Sequence, residues 1–196
     1  MRKLASTLLA CAALIPSAAV TLLGPTLDTP RAHAGLAFAV SLRQLVKAAD
    51  LVVDGTAEES TSLWEDVPGA GRRIVTYTRV SVTETAYGKP QKDVWVRTLG
   101  GVVDKIGQRV EGEATVAIGA RALLFLKVRD DGTHSVAEMA QGHFHVSPET
   151  AHKLTPALAG VLRGKSPERP ARELLAGKPL TAALELIRAE KKAVAK

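Results

Sequence analysis

The chain has 196 residues, 46% of them apolar, with 26 Lys and Arg against 20 Asp and Glu. That length suits one domain able to bury its own core, and a lone cysteine, Cys11, excludes a disulfide framework and dithiol chemistry. The net charge of +6 is uneven: residues 35–150 carry 13 basic against 15 acidic side chains, residues 151–196 carry 10 against 4, so the basic character belongs to the tail.

Arg2 and Lys3 precede an apolar run from Leu4 to Leu23, and Ala32-His33-Ala34 has the small-x-small form that signal peptidase reads. This predicts a signal peptide over 1–34, cleavage before Gly35, and an exported chain, periplasmic or extracellular. Two rivals are a retained membrane anchor, weakened by Pro16, and lipidation at Cys11, weakened because the apolar run continues past it. Export predicts an extracytoplasmic protein partner, no nucleic acid, and no stable membrane span after processing. The basic tail then reads as a solvated helical face.

Residues 35–147 read as a β-domain. Ser41 is an N-cap for a short helix with the stripe Leu42, Leu45 and Val46, which Asp50 ends. Leu51, Val53, Gly55 and Ala57 alternate with Val52, Asp54 and Thr56 as a first strand. Ser60 to Arg72, with Pro68, Gly69 and Gly71, predicts a mobile loop. Arg73 to Tyr87 is rich in β-branched residues and predicts a long strand whose apolar parity breaks, implying a bulge near Thr78 or Arg79.

After a turn at Tyr87-Gly-Lys-Pro90 comes a third strand, Lys92 to Thr98, with Val94 and Val96 on one face. Gly100 to Gln108 predicts a loop and Arg109 to Val116 a weak fourth strand. Leu123 to Leu126 is apolar on both faces, as a strand covered on two sides should be, and anchors a central strand from Arg121 to Arg129. Asp130-Asp131-Gly132 makes a hairpin to a strand His134–Met139, and Gly142–Val146 is the last. The expected core holds Leu51, Val53, Val94, Val96, Leu124 and Leu126.

Residues 148–196 predict a helical, basic extension. Pro148 and Pro156 each follow a capping residue, so helices are expected after both, the second carrying Leu158, Val161 and Leu162 and ending at Gly164. Beyond the linker Lys165–Pro170, helices are predicted over Ala171–Ala176 and Thr181–Lys192, the last with a stripe of Leu180, Ala183, Leu184 and Ile187.

The order of these elements, with Ala49-Asp50-Leu-Val-Val53, Gly88-Lys-Pro-Gln-Lys-Asp93, Val96-Arg97-Thr98, Val116-Ala-Ile-Gly119, Leu124-Phe-Leu126 and Asp131-Gly132, resembles the netrin-type module of the tissue inhibitors of metalloproteinases. The likeness covers about residues 41 to 147. It implies a mainly β fold, a small five-stranded OB-like Greek-key barrel flanked by short helices. Those inhibitors chelate zinc through an amino-terminal cysteine, and the predicted mature start, Gly35-Leu-Ala-Phe, has none. The resemblance therefore implies a binding module, inhibitor-like in architecture, without the family's functional residue.

No catalytic constellation appears: no serine lies in Gly-x-Ser-x-Gly, and Gly100-Gly101 is not followed by a phosphate-binding Lys-Ser/Thr. Glu58-Glu59 and Asp130-Asp131 are adjacent pairs that read as solvating. His143 and His145 share a strand face and can hold one edge of a metal, with His134 able to approach from a neighbouring strand, but no further ligand completes a set. No metal and no cofactor are expected. The candidate ligand-binding face is Trp95 with Arg97, joined by Arg79 or Arg73, an aromatic and basic set of the kind that dominates contact surfaces. The competing reading buries Trp95 beneath the C-terminal helices. Function is thus expected to be non-catalytic binding, the alternative being an exported hydrolase or metal-site enzyme.

Overall fold

The structure is a computed structural model and describes residues 38–150, 152–158 and 168–195. The signal peptide, the start at Gly35, and the expected helix residues Val161 to Gly164 lie outside these. The fold is mainly β with a few helices, the longest at the C-terminus. Among the described residues no helix is long and apolar enough to cross a membrane.

Strand β1 (Leu51–Val67) turns back into β2 (Gly71–Tyr87), and β3 (Asp93–Leu99) follows. A small hairpin, β4 (Gly101–Val103) and β5 (Ile106–Gln108), interrupts the sheet before β6 (Arg121–Val128), β7 (His134–Val136), β8 (His143–Ser147) and β9 (Lys153–Pro156). The main sheet runs β1-β2-β3-β7-β6-β8-β9, and β1 also pairs with β6. The sheet thus coils back on itself. Between β3 and β7 the contact is a single parallel pair, Val96 with His134, so it is not a clearly closed barrel.

Two apolar layers form on the two faces of β6, as its doubly apolar sequence requires. On the inner face Leu51, Val53, Val94, Val96, Leu124 and Leu126 cluster together, all buried. The outer face presents Leu123 and Phe125, with Phe144 beside them, to three helices: α1 (Leu42–Ala48), α2 (Ala171–Leu175) and α3 (Leu180–Val194). Ser41 caps α1 in a capping box, its Oγ accepting from Gln44 N–H while Gln44 Oε1 accepts from Ser41 N–H at 2.8 Å. The α3 stripe Leu180, Ala183, Leu184 and Ile187 is buried, as its spacing dictates.

Several boundaries differ from the sequence reading. Residues 60–72 are not a loop: β1 and β2 continue to Val67 and Gly71 around a turn in which Ala70 N–H donates to Val67 O at 3.0 Å. What pairs them there is hydroxyls and ions, such as Ser62 Oγ with Thr76 Oγ1 at 2.8 Å, so the apolar alternation of an ordinary strand is missing. The expected bulge at Thr78 is not in β2, which pairs with β3 without a break from Val75 to Ser81. The extra residue opposite Arg79 is Glu58 in β1, and the irregularities of β2 fall at Thr83 and Ala86.

Arg109 to Val116 is not a strand. Ala114 and Val116 are both buried and imitate strand alternation, but Gly112 has φ of 78° and Glu113 N–H turns back to Val110 O. The segment from His134 stops at Val136 because Glu138 and Met139 both have left-handed φ. Lys153–Pro156, up to the expected helix start, adds to the sheet beside β8 as a strand, burying Leu154 opposite Val146. After Pro148 there is one helical turn, Pro148–Thr150.

Candidate functional site

A cleft of about 800 Å³ opens where the coil of the sheet is least complete. Its floor continues the inner face of β2 and β3 through Thr76, Thr78 and Thr98, and its walls are the segments Leu99–Val102 and Gly107–Ala117, with His145 and Leu158 at the side. The register explains this floor, since Thr78 lies opposite Val96 and Thr76 opposite Thr98 on the face that carries Val80 and Val94 further along. Where the apolar core ends, hydroxyls take over the same face.

The walls are held by hydrogen bonds to the backbone that the sequence pattern does not announce. Gly100 N–H donates to Ile74 O at 2.7 Å, Thr76 Oγ1 donates to Gly100 O at 2.6 Å, and Ile74 N–H donates to Gln108 Oε1 at 2.8 Å. At Gly101, with φ of 136°, any Cβ would overlap Thr76 Oγ1 and Ser62 Oγ, so only glycine lets the β4–β5 hairpin lie this close. The other wall is fastened by Ala140 N–H to Gly112 O at 2.9 Å and by the buried Ala114 and Val116.

Glu113 projects from that wall. Its Oε1 accepts from Ala114 N–H at 3.2 Å and the Leu99 N–H also lies beside its carboxyl, while burial pushes its pKa up. The nearest cation that it feels is Arg97, which is engaged elsewhere.

His143 and His145 share one face of β8, with ring centroids 4.5 Å apart. His145 reaches the cleft; His143 is buried, with neither ring nitrogen hydrogen-bonded to the protein. Burial, with a smaller contribution from His145, lowers the pKa of His143 to about 4, so its ring is neutral at pH 7. His134 does not join them. It pairs opposite Val128 while His143 pairs opposite Leu124, four positions or roughly 13 Å along β6. It lies against the Trp95 backbone without a well-formed hydrogen bond, its pKa lowered by burial. Among the described residues no three His, Cys, Asp or Glu side chains are placed to hold a metal.

A scan against protein-family models finds none that matches the chain, and no curated protein matches it. The site must be read from its own chemistry.

Trp95, Arg97 and Arg79 share the opposite face of β2 and β3, where Arg79 pairs with Trp95 and Tyr77 with Arg97. Trp95 is 40% exposed and is not covered by the helices, whose stripes are met instead by Leu123, Phe125 and Phe144. Arg97 is 7% exposed, its Nη2 2.6 Å from Glu65 Oε1, and Tyr77 Oη donates to the same carboxylate at 2.8 Å. That pairing holds the Glu65 carboxyl below the usual range. Arg79 contacts Glu59 at 2.7 Å, Glu58 at 3.0 Å and Asp93 at 3.1 Å. Both guanidinium charges are therefore met within the chain. Arg73, opposite Glu65 in the ladder, donates to the neighbouring Arg72 carbonyl. The cleft was missed because hydroxyls on a polar strand, glycines and a lone carboxylate carry no motif.

Proposed function

We propose that the protein is an exported, non-catalytic binding module that receives part of an extracytoplasmic protein partner in the cleft between β2, β3 and the 99–117 segment. The observation that carries this reading is a cleft of about 800 Å³, within the size range of ligand sites, lined by apolar side chains with a few polar groups among them, Thr76, Thr78, Thr98 and Glu113. Thr76 donates to Gly100 O and Glu113 accepts from Ala114 N–H. The Thr76 and Thr78 hydroxyls bond to Ser62, Gly100 O and Ser60 rather than to an imidazole, the partner that activates a nucleophilic hydroxyl.

We further propose that the ring β1-β2-β3-β7-β6 is an OB-type Greek-key barrel related in architecture to the netrin module. The support is its pairing order, with β6 returning to β1 and β7 parallel to β3. Barrels of this kind bind ligands at one end or on one strand face. The reading is tested by capturing partners from the producing cells' exported fraction with the protein and with Thr115→Trp, which fills the cleft from an exposed lining position. A partner held by the first and lost by the second supports the reading; a partner held equally by both, or turnover of hydrolase substrates lost on His145→Ala, overturns it.

A further inference from the structure

We propose that the cleft recognises a basic side chain, Lys or Arg, of a polypeptide partner, and that Glu113 is the residue that reads its charge. The inference rests on the cleft being the binding site and adds the chemistry of the occupant. A half-buried carboxylate is costly unless a cation or several hydrogen bonds meet it. Glu113 has backbone N–H groups as its direct partners, and Arg97, the cation whose field it feels, spends its guanidinium on Glu65.

The rest of the lining agrees in sign. Its other charged side chains are Arg109 and Glu111, both exposed and 3.9 Å from each other, so Glu113 is the carboxylate of the lining held by backbone N–H groups and not by a cation's direct contact. His145 stands at the rim of the cleft. Phosphates and carboxylates find one cation in the lining, Arg109, which is solvent-exposed and lies beside Glu111. A lysine or arginine stem suits the remainder, because Ala114, Val116, Leu99 and Leu158 provide apolar contact along its methylenes while the threonine floor accepts hydrogen bonds from its head.

The test is a titration of the isotope-labelled full chain with Nα-acetyl-lysine methylamide, Nα-acetyl-arginine methylamide and the uncharged Nα-acetyl-norleucine methylamide. Amide shifts are expected at Leu99, Gly100, Gly112 and Ala114, with the basic probes binding at least about tenfold more tightly than norleucine. Glu113→Gln keeps an oxygen for the Ala114 N–H, so it should stay folded and bind all three probes alike. With the unaltered chain, lowering the pH until Glu113 protonates should erase the same preference. Equal binding of charged and neutral probes, or an undiminished preference in Glu113→Gln, overturns the proposal. If Thr115→Trp loses the partner while Glu113→Gln keeps it, the cleft reading stands and the charge reading falls.

Discussion

The two halves of β1 make opposite use of the same backbone geometry. From Leu51 to Thr56 the strand has β2 on one side and β6 on the other, and its side chains are almost all buried. From Glu59 to Val67 it has β2 alone among the described strands, and its partners are hydroxyls, Tyr77 and arginines. Apolar burial at about 25 cal/mol per Å² makes the first half the stabilising one, whereas ion pairs near the surface contribute little. The second half gains something else. Its polar face supplies Ser62 and, across the ladder, Thr76, on which the hairpin wall of the cleft rests.

The largest expected effect separates the two halves directly. Leu124→Ala, which opens a cavity opposite Val53, should cost about 2–5 kcal/mol in urea unfolding, against less than about 0.5 kcal/mol for the half-exposed Leu63→Ala. Similar losses at both positions would mean that the outer half packs as a core of its own.

Next comes the pH dependence of the sheet beyond the inner half, where His143 of β8 pairs opposite Leu124. His143 titrates near 4 when folded and near 6.5 when unfolded, so the unfolded chain binds more protons between those values. Its contribution is complete above pH 6.5 and is lost as pH falls toward 4, about 3 kcal/mol across the window. Unfolding measured at pH 4, 5, 6 and 7 should show this slope, and His143→Leu should flatten it.

Smaller effects belong to the outer half. Gly101→Ala should cost about 1–3 kcal/mol through overlap with Ser62 and Thr76, and hydrogen exchange of the Gly100 amide should accelerate more than that of Leu124. Glu65→Gln should cost about 1 kcal/mol, because Arg97 keeps a neutral acceptor in place of a charged one. If the Glu65 change were the costlier of the two, the ion pair rather than the hairpin seat would organise this end of the sheet.

How much of this was legible follows the same division. Leu51, Val53, Val94, Val96, Leu124 and Leu126 announce themselves by alternation, and the α3 stripe by helical spacing, because burial selects residue type. Ser60 to Arg72 read as loop because hydroxyl ladders and ion pairs select polar residues, which also fill loops. Arg109 to Val116 read as strand because Ala114 and Val116 anchor a wall at strand spacing without strand backbone. Glu113 could have been noticed only as a carboxylate just before the buried Ala114 and Val116, a signal too weak to name a site.

The one-sided outer half of β1 also bears on how copies of the protein meet. Nine residues, Glu59 to Val67, present a backbone edge with no strand beside it among the described residues, a template for pairing with another chain. Charged side chains line that stretch, Glu59 paired with Arg79 and Glu65 with Arg97, so two such edges approaching each other must strip water from these ion pairs, and the charges serve as gatekeepers of solubility.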